Sequence, residues 1–161
     1  MKRLKLFFWV IFFQIFILNN IQFSGYINPY YYIIFILTIS NKNSGSIILL
    51  LSFLLGLTID VFSNSYGAHA FSSVLIGYLK IKWIDKKYIS DADDMFEFIH
   101  FSMDRFIINS FIIILIHHFS LFFLERFSFN EFFSVLSITL ISSIFTLILF
   151  IIHKVCSPKK S

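Results

Sequence analysis

The sequence predicts an all-α integral membrane protein, one bundle of about six transmembrane helices, and three observations carry that prediction. Hydrophobic residues make up 58% of the 161-residue chain and charged residues only 14%, against the ~25% charged that is usual in a soluble domain. Mean hydropathy is +0.84. The apolar character extends nearly end to end, in runs broken by short polar stretches, which points to a single domain over 1–161 with no separate hydrophilic part.

The first run, 6–23, follows Lys2, Arg3 and Lys5 in the manner of a signal peptide. No small-x-small cleavage pattern lies in 19–25, so an uncleaved signal anchor is expected. The second run, 28–39, opens on Asn28-Pro29, a turn and helix-start signal. Its apolar part, Tyr30 to Ile39, is about ten residues, short of the ~20 that a perpendicular helix needs. This run is therefore tilted, extended by Ile27 or partly re-entrant. The third, 47–62, is interrupted by Gly56 and Asp60. The fourth, 67–79, holds Ala70, Ser72, Ser73 and Gly77, small residues that let membrane helices approach closely.

From 80 to 105 the character changes to a charged connector with Lys82, Asp85, Lys86, Lys87, Asp91, Asp93, Asp94 and Glu97. Trp83, Phe96, Phe98 and Phe101 are interleaved there, which predicts a surface-lying amphipathic helix near Met95 to Met103. The fifth and sixth runs are 106–124 and 132–152, and a basic tail follows. Six spans with a cytoplasmic start place all but one of the thirteen Lys and Arg residues inside, leaving Arg126 outside. That asymmetry is what the positive-inside rule expects of a bacterial inner-membrane protein with both termini cytoplasmic.

In this topology the costly polar groups gather toward the outer side: Asp60, His69, His117, His118 and Glu125, with Glu131 across the outer loop. Three meanings compete. Asp60 caps the turn Ser63-Asn64-Ser65-Tyr66-Gly67 while the histidines bond neighbouring helices; or the patch receives a partner's helix; or it forms a metal or proton site. Adjacent His117 and His118 project about 100° apart on a helix, whereas helical metal pairs prefer i, i+4, so no metal is expected.

Catalytic motifs are missing. There is no G-x-S-x-G, H-E-x-x-H, P-loop or dinucleotide fingerprint, and Asp91, Asp93 and Asp94 lack the spacing of a calcium loop. The reading is of a non-enzyme with no cofactor and no nucleic-acid partner. Cys156 stands alone, and the 24 phenylalanines follow no fixed period, as lipid-facing bulk would.

The stretch from Gly56 through Asp60, Asn64 and Gly67 to His69 and Ala70 resembles the G-x-x-x-D-x-x-x-x-x-x-G segment of the MreD family of rod shape-determining membrane proteins, in the form found in Bacteroidetes. The segment Ile116 to Phe129, with His117, His118 and Glu125, is similar to the fifth span and outer loop of the same family, and the order of features agrees along essentially the whole chain. The resemblance implies a fold like the substrate-binding subunits of energy-coupling-factor vitamin transporters. It also implies a scaffold in the elongation machinery, beside an MreC-like protein and, through it, MreB, RodA and a penicillin-binding transpeptidase. Gly56, Asp60, Asn64, Gly67, His69, His117, His118 and Glu125 are then candidates for a partner-binding or structural polar cluster. Lys82, Lys86 and Lys87 are candidates for contact with anionic lipid. The alternative function is a vitamin-like ligand-binding subunit of a transporter.

Overall fold

The computed structural model describes residues 2–20, 27–40, 43–85 and 98–157. They form a helical bundle, with no strand among the described residues. In chain order these are α1 (Lys2–Phe16) with a 3-10 turn at Leu18–Asn20, α2 (Ile33–Thr38), α3 (Gly45–Ser63), α4 (Ala68–Leu79), α5 (Met103–Arg126) and α6 (Phe132–Cys156). Three helices, Gly45–Ser63, Met103–Arg126 and Phe129–Cys156, are long and apolar enough to cross a membrane, so this is a multi-pass helical membrane protein.

Side-chain contacts define two ends of the bundle. At one, Asn19 donates to Ser63 at the end of α3, both line one cavity with Glu125 at the end of α5, and Arg126 beside it reaches Ser134 on α6. At the other, Leu4 and Phe7 share a groove with Thr38, Ile39 and Leu51, Gly45 faces Ile81, and the Lys154 ammonium donates to the carbonyls of Ile99 and Phe101. We call these the turn end and the basic end. Leu4, Phe8, Phe12 and Phe16 on α1, and Leu140, Ile144, Ile148 and Ile152 on α6, recur at fourfold spacing and are exposed. Outward apolar stripes of this kind suit a lipid solvent, in which apolar surface carries no penalty.

The centre of the bundle is the second apolar run. Tyr32, Ile33, Ile34, Ile36 and Leu37 are fully buried or nearly so, with Tyr30, Tyr31, Phe35 and Ile39 close behind. Only Ile33–Thr38 is helical, which is shorter than the predicted 28–39. Pro29 has no amide proton and biases Asn28 away from helical backbone, so residues before Tyr31 run extended. Extended backbone inside a membrane protein is tolerated only where neighbours satisfy it. Here Gln14 accepts from Tyr31 N–H at 2.9 Å and donates to the Pro29 carbonyl at 3.1 Å. Ser142 accepts from Asn28 N–H and Thr146 from Tyr30 N–H, each at 3.1 Å.

The connector departs from expectation at both edges. Past Leu79 the chain continues as a π-helix, Lys80–Asp85, and α5 begins at Met103 rather than 106. Of the expected amphipathic helix, Phe98–His100 form a single 3-10 turn, and residues 95–97 lie outside the described residues. At the far end α6 runs to Cys156, four residues beyond the predicted 152, because His153 and Lys154 turn inward to Tyr31 and to the 98–101 turn.

Candidate functional site

The α3–α4 hairpin holds most of the residues singled out from the sequence. Gly56 is where α4 starts against α3: a Cβ built on it would lie 2.5 Å from the His69 carbonyl oxygen and 2.6 Å from Ala70 Cα, both backbone atoms that cannot swing aside. One turn on, Asp60 reaches across to the start of α4. Its Oδ1 accepts from the Ser65 hydroxyl at 2.6 Å and from His69 N–H at 3.0 Å, and its Oδ2 accepts from Ala70 N–H at 2.8 Å. A carboxylate here satisfies amides that the helix leaves open and complements the positive end of its dipole. Asn64 closes α3 at φ 54°, and Gly67 precedes α4 at φ 92°, a left-handed conformation suited to glycine. Asp60 thus ties the turn to α3 through Ser65 and caps the start of α4.

His69, next along, belongs to a buried chain. The Tyr32 hydroxyl lies 2.8 Å from His69 Nδ1 and 2.7 Å from His117 Nε2, and His69 Nε2 lies 4.0 Å from Glu125 Oε1. The two hydrogen bonds can run in either direction along the chain, and in one of them an N–H faces Glu125. With its proton on Nε2, toward the carboxylate, His69 accepts at Nδ1 from the tyrosine, whose oxygen accepts from His117 Nε2–H. All donors then point toward Glu125. In that direction His117 Nδ1 is left as a buried acceptor with no partner among the described residues.

His118 takes no part in that chain. Its Nδ1 meets the Ile114 carbonyl at 2.9 Å and its Nε2 meets Thr146 Oγ1 at 3.1 Å, so it supports the same hydroxyl that holds Tyr30 N–H. The adjacent histidines diverge as their 100° separation requires. Among the described residues no group of three or more His, Cys, Asp or Glu side chains could hold a metal ion.

Glu125 sits at the rim of a polar cavity of about 340 Å³ at the turn end, lined also by His69, Asn19, Asn20, Asn28 and Ser63. Its neighbour Arg126 is already engaged, at 2.7 Å from Glu131 and 2.9 Å from Ser134. Lys82 is exposed toward the basic end, away from this cluster, while Lys86 and Lys87 lie outside the described residues. The structure therefore brings Gly56, Asp60, Asn64, Gly67, His69, His117 and Glu125 to one region, with His118 beside it. Sequence reasoning missed Tyr32, Gln14 and Thr146. Gln14 did carry a signal, as the lone polar residue in the run Leu6 to Leu18.

Fold and site together define a class: a small multi-pass helical membrane protein with a buried tyrosine–histidine chain and a carboxylate-bearing cavity at its turn end. No protein-family model, curated protein or solved structure matches the chain.

Proposed function

We propose that this chain is a non-enzymatic scaffold of the cell-elongation machinery, an MreD-like protein crossing the bacterial inner membrane six times with both termini cytoplasmic. The observation that supports it best is the α3–α4 hairpin. Gly56, Asp60, Gly67 and His69, in which the sequence resembles that family, act there as one structural unit through the close approach at Gly56 and the carboxylate cap on His69 and Ala70. In this reading the basic end is cytoplasmic and the turn end faces the periplasm. Lys82, Lys86 and Lys87 then meet anionic headgroups.

The buried polar groups are largely spent inside the bundle. What remains for a partner at the turn end is Glu125 and an exposed aromatic rim of Tyr66, Phe127, Phe129 and Phe133. Exposed aromatics beside a charge are the composition of a recognition surface. The partner is an MreC-like protein, and through it the MreB filament, RodA and a penicillin-binding transpeptidase.

Purification of the tagged protein from its host in mild detergent tests this. Recovery of an MreC-like protein with wall synthases, reduced by Glu125→Lys, is expected. The cavity beside Glu125 favours a second reading, a vitamin-like binding subunit of a transporter. Recovery of such a ligand with an ATPase module, and no wall proteins, would replace the first reading with the second.

A further inference from the structure

The cavity at the turn end has an unbalanced chemistry. Asn20 donates through its side-chain nitrogen to the carbonyls of Ile15 and Phe16, at 3.1 and 3.0 Å, which leaves its oxygen as the group it can offer. Asn19 donates to Ser63 and accepts from Gln14, so it is internally satisfied. Glu125 has no lysine or arginine in ion-pair contact among the described residues: the contact it does make is with His69 Nε2 at 4.0 Å, and Arg126 beside it is committed to Glu131. A cavity whose carboxylate has no lysine or arginine partner among the described residues, with the side chains of Asn20, Asn28 and Ser63 beside it, suits a group that brings both hydrogen-bond donors and positive charge.

Size narrows the class. About 340 Å³ lies near the lower end of the ~300–1,000 Å³ range of ligand pockets, enough for one extended side chain with a flat or compact cationic head. We propose that this cavity binds an alkylguanidinium or alkylammonium group, with Glu125 as counter-ion and Asn20 as a second acceptor. Such a group reaches the site either as an arginine or lysine side chain of a protein partner or as a small free cation. The first source rests on the scaffold reading above, and the cationic chemistry itself does not.

Calorimetric titration of the full chain in nanodiscs with N-acetylarginine methylamide, against the neutral citrulline analogue, tests the chemistry. The arginine compound binds more tightly by about tenfold or more, because charge-assisted hydrogen bonds are roughly twice as strong as neutral ones. Glu125→Gln removes that preference and Glu125→Asp keeps it. Asp104→Asn, at an exposed carboxylate in the first turn of α5 and so at the opposite end of that helix from Glu125, leaves it unchanged. Equal binding of the citrulline analogue, or an arginine preference that survives Glu125→Gln, overturns the proposal.

The source is then read in cells carrying a photocrosslinking residue at Tyr66, which is exposed and shares a neighbouring surface pocket with Glu125. A protein adduct that vanishes with Glu125→Gln assigns the cation to a partner, and a small amine or guanidine retained in native mass spectrometry assigns it to a free ligand. Cation binding without wall proteins in the purification sinks the scaffold reading alone. Wall proteins without cation preference sink this inference alone.

Discussion

Gly56 and Gly77 both lie where α3 and α4 touch, and they differ in what a methyl group would strike. At Gly56 it meets the backbone of His69 and Ala70, whereas at Gly77 the nearest atom is the Ser52 hydroxyl at 2.6 Å, a side-chain atom that moves by giving up its bond to the Ile48 carbonyl. Gly56→Ala is expected to cost about 2–3 kcal/mol and Gly77→Ala about 1 kcal/mol, in the range of overpacked cores. Unfolding by denaturant titration in bicelles separates them, and equal costs would show that the hairpin can spread. Asp60 is a residue-scale case too. Asp60→Ala leaves the His69 and Ala70 amides unanswered at a helix start, an expected loss of about 1–2 kcal/mol by the same measurement. Asp60 and Gly56 were visible in the sequence as a pair one turn apart, since carboxylates and glycines are rare in apolar runs. That the carboxylate would answer amides nine and ten residues onward was not visible, because only the fold of the turn brings them together.

At the scale of the element, the run from Asn28 to Ile39 shows how far periodicity and length can carry. Ten apolar residues are too few for a full span, and Pro29 disfavours helix, so an irregular segment was legible. Its support was not. Gln14 from α1 and Ser142 and Thr146 from α6 bond its extended backbone, and these residues lie up to 116 positions away. Gln14→Leu orphans the Tyr31 amide and the Pro29 carbonyl, and Thr146→Val orphans the Tyr30 amide. Each unpaired group costs about 1–3 kcal/mol, so both variants should unfold at clearly lower denaturant than Ser137→Ala, whose hydroxyl bonds only its own helix on an exposed face. Unchanged midpoints for both would mean that water enters to replace the lost bonds.

At the scale of the whole molecule, the antiparallel order of the helices places both described chain ends at the basic end. If the bundle crosses the membrane six times, Cys156, which is exposed, and a cysteine at Lys82→Cys share one side, and Tyr66→Cys, at the fully exposed turn, lies on the other. A membrane-impermeant maleimide applied to intact cells should label Tyr66→Cys in a Cys156→Ser background and spare the other two positions. Labelling of Cys156 from outside would reverse the orientation, and labelling of all three from one side would end the six-pass reading.

Composition alone determined the solvent in which this protein folds, because a chain so rich in apolar residues has no aqueous solution. Hydropathy runs located the long helices to within a few residues, since a span must bury its backbone over a fixed thickness. The grouping of Asp60, His69, His117 and Glu125 toward one end followed from counting along those runs. Tertiary structure alone decided which groups touch. Tyr32, an unremarkable residue in an apolar run, became the link between two histidines because the segment that carries it passes through the middle of the bundle. His118, adjacent to His117, was sent to Thr146 instead. The physical reason is that helical period and hydropathy are local properties, whereas the partner of a buried polar group is set by whichever neighbour the packing brings within about 3 Å.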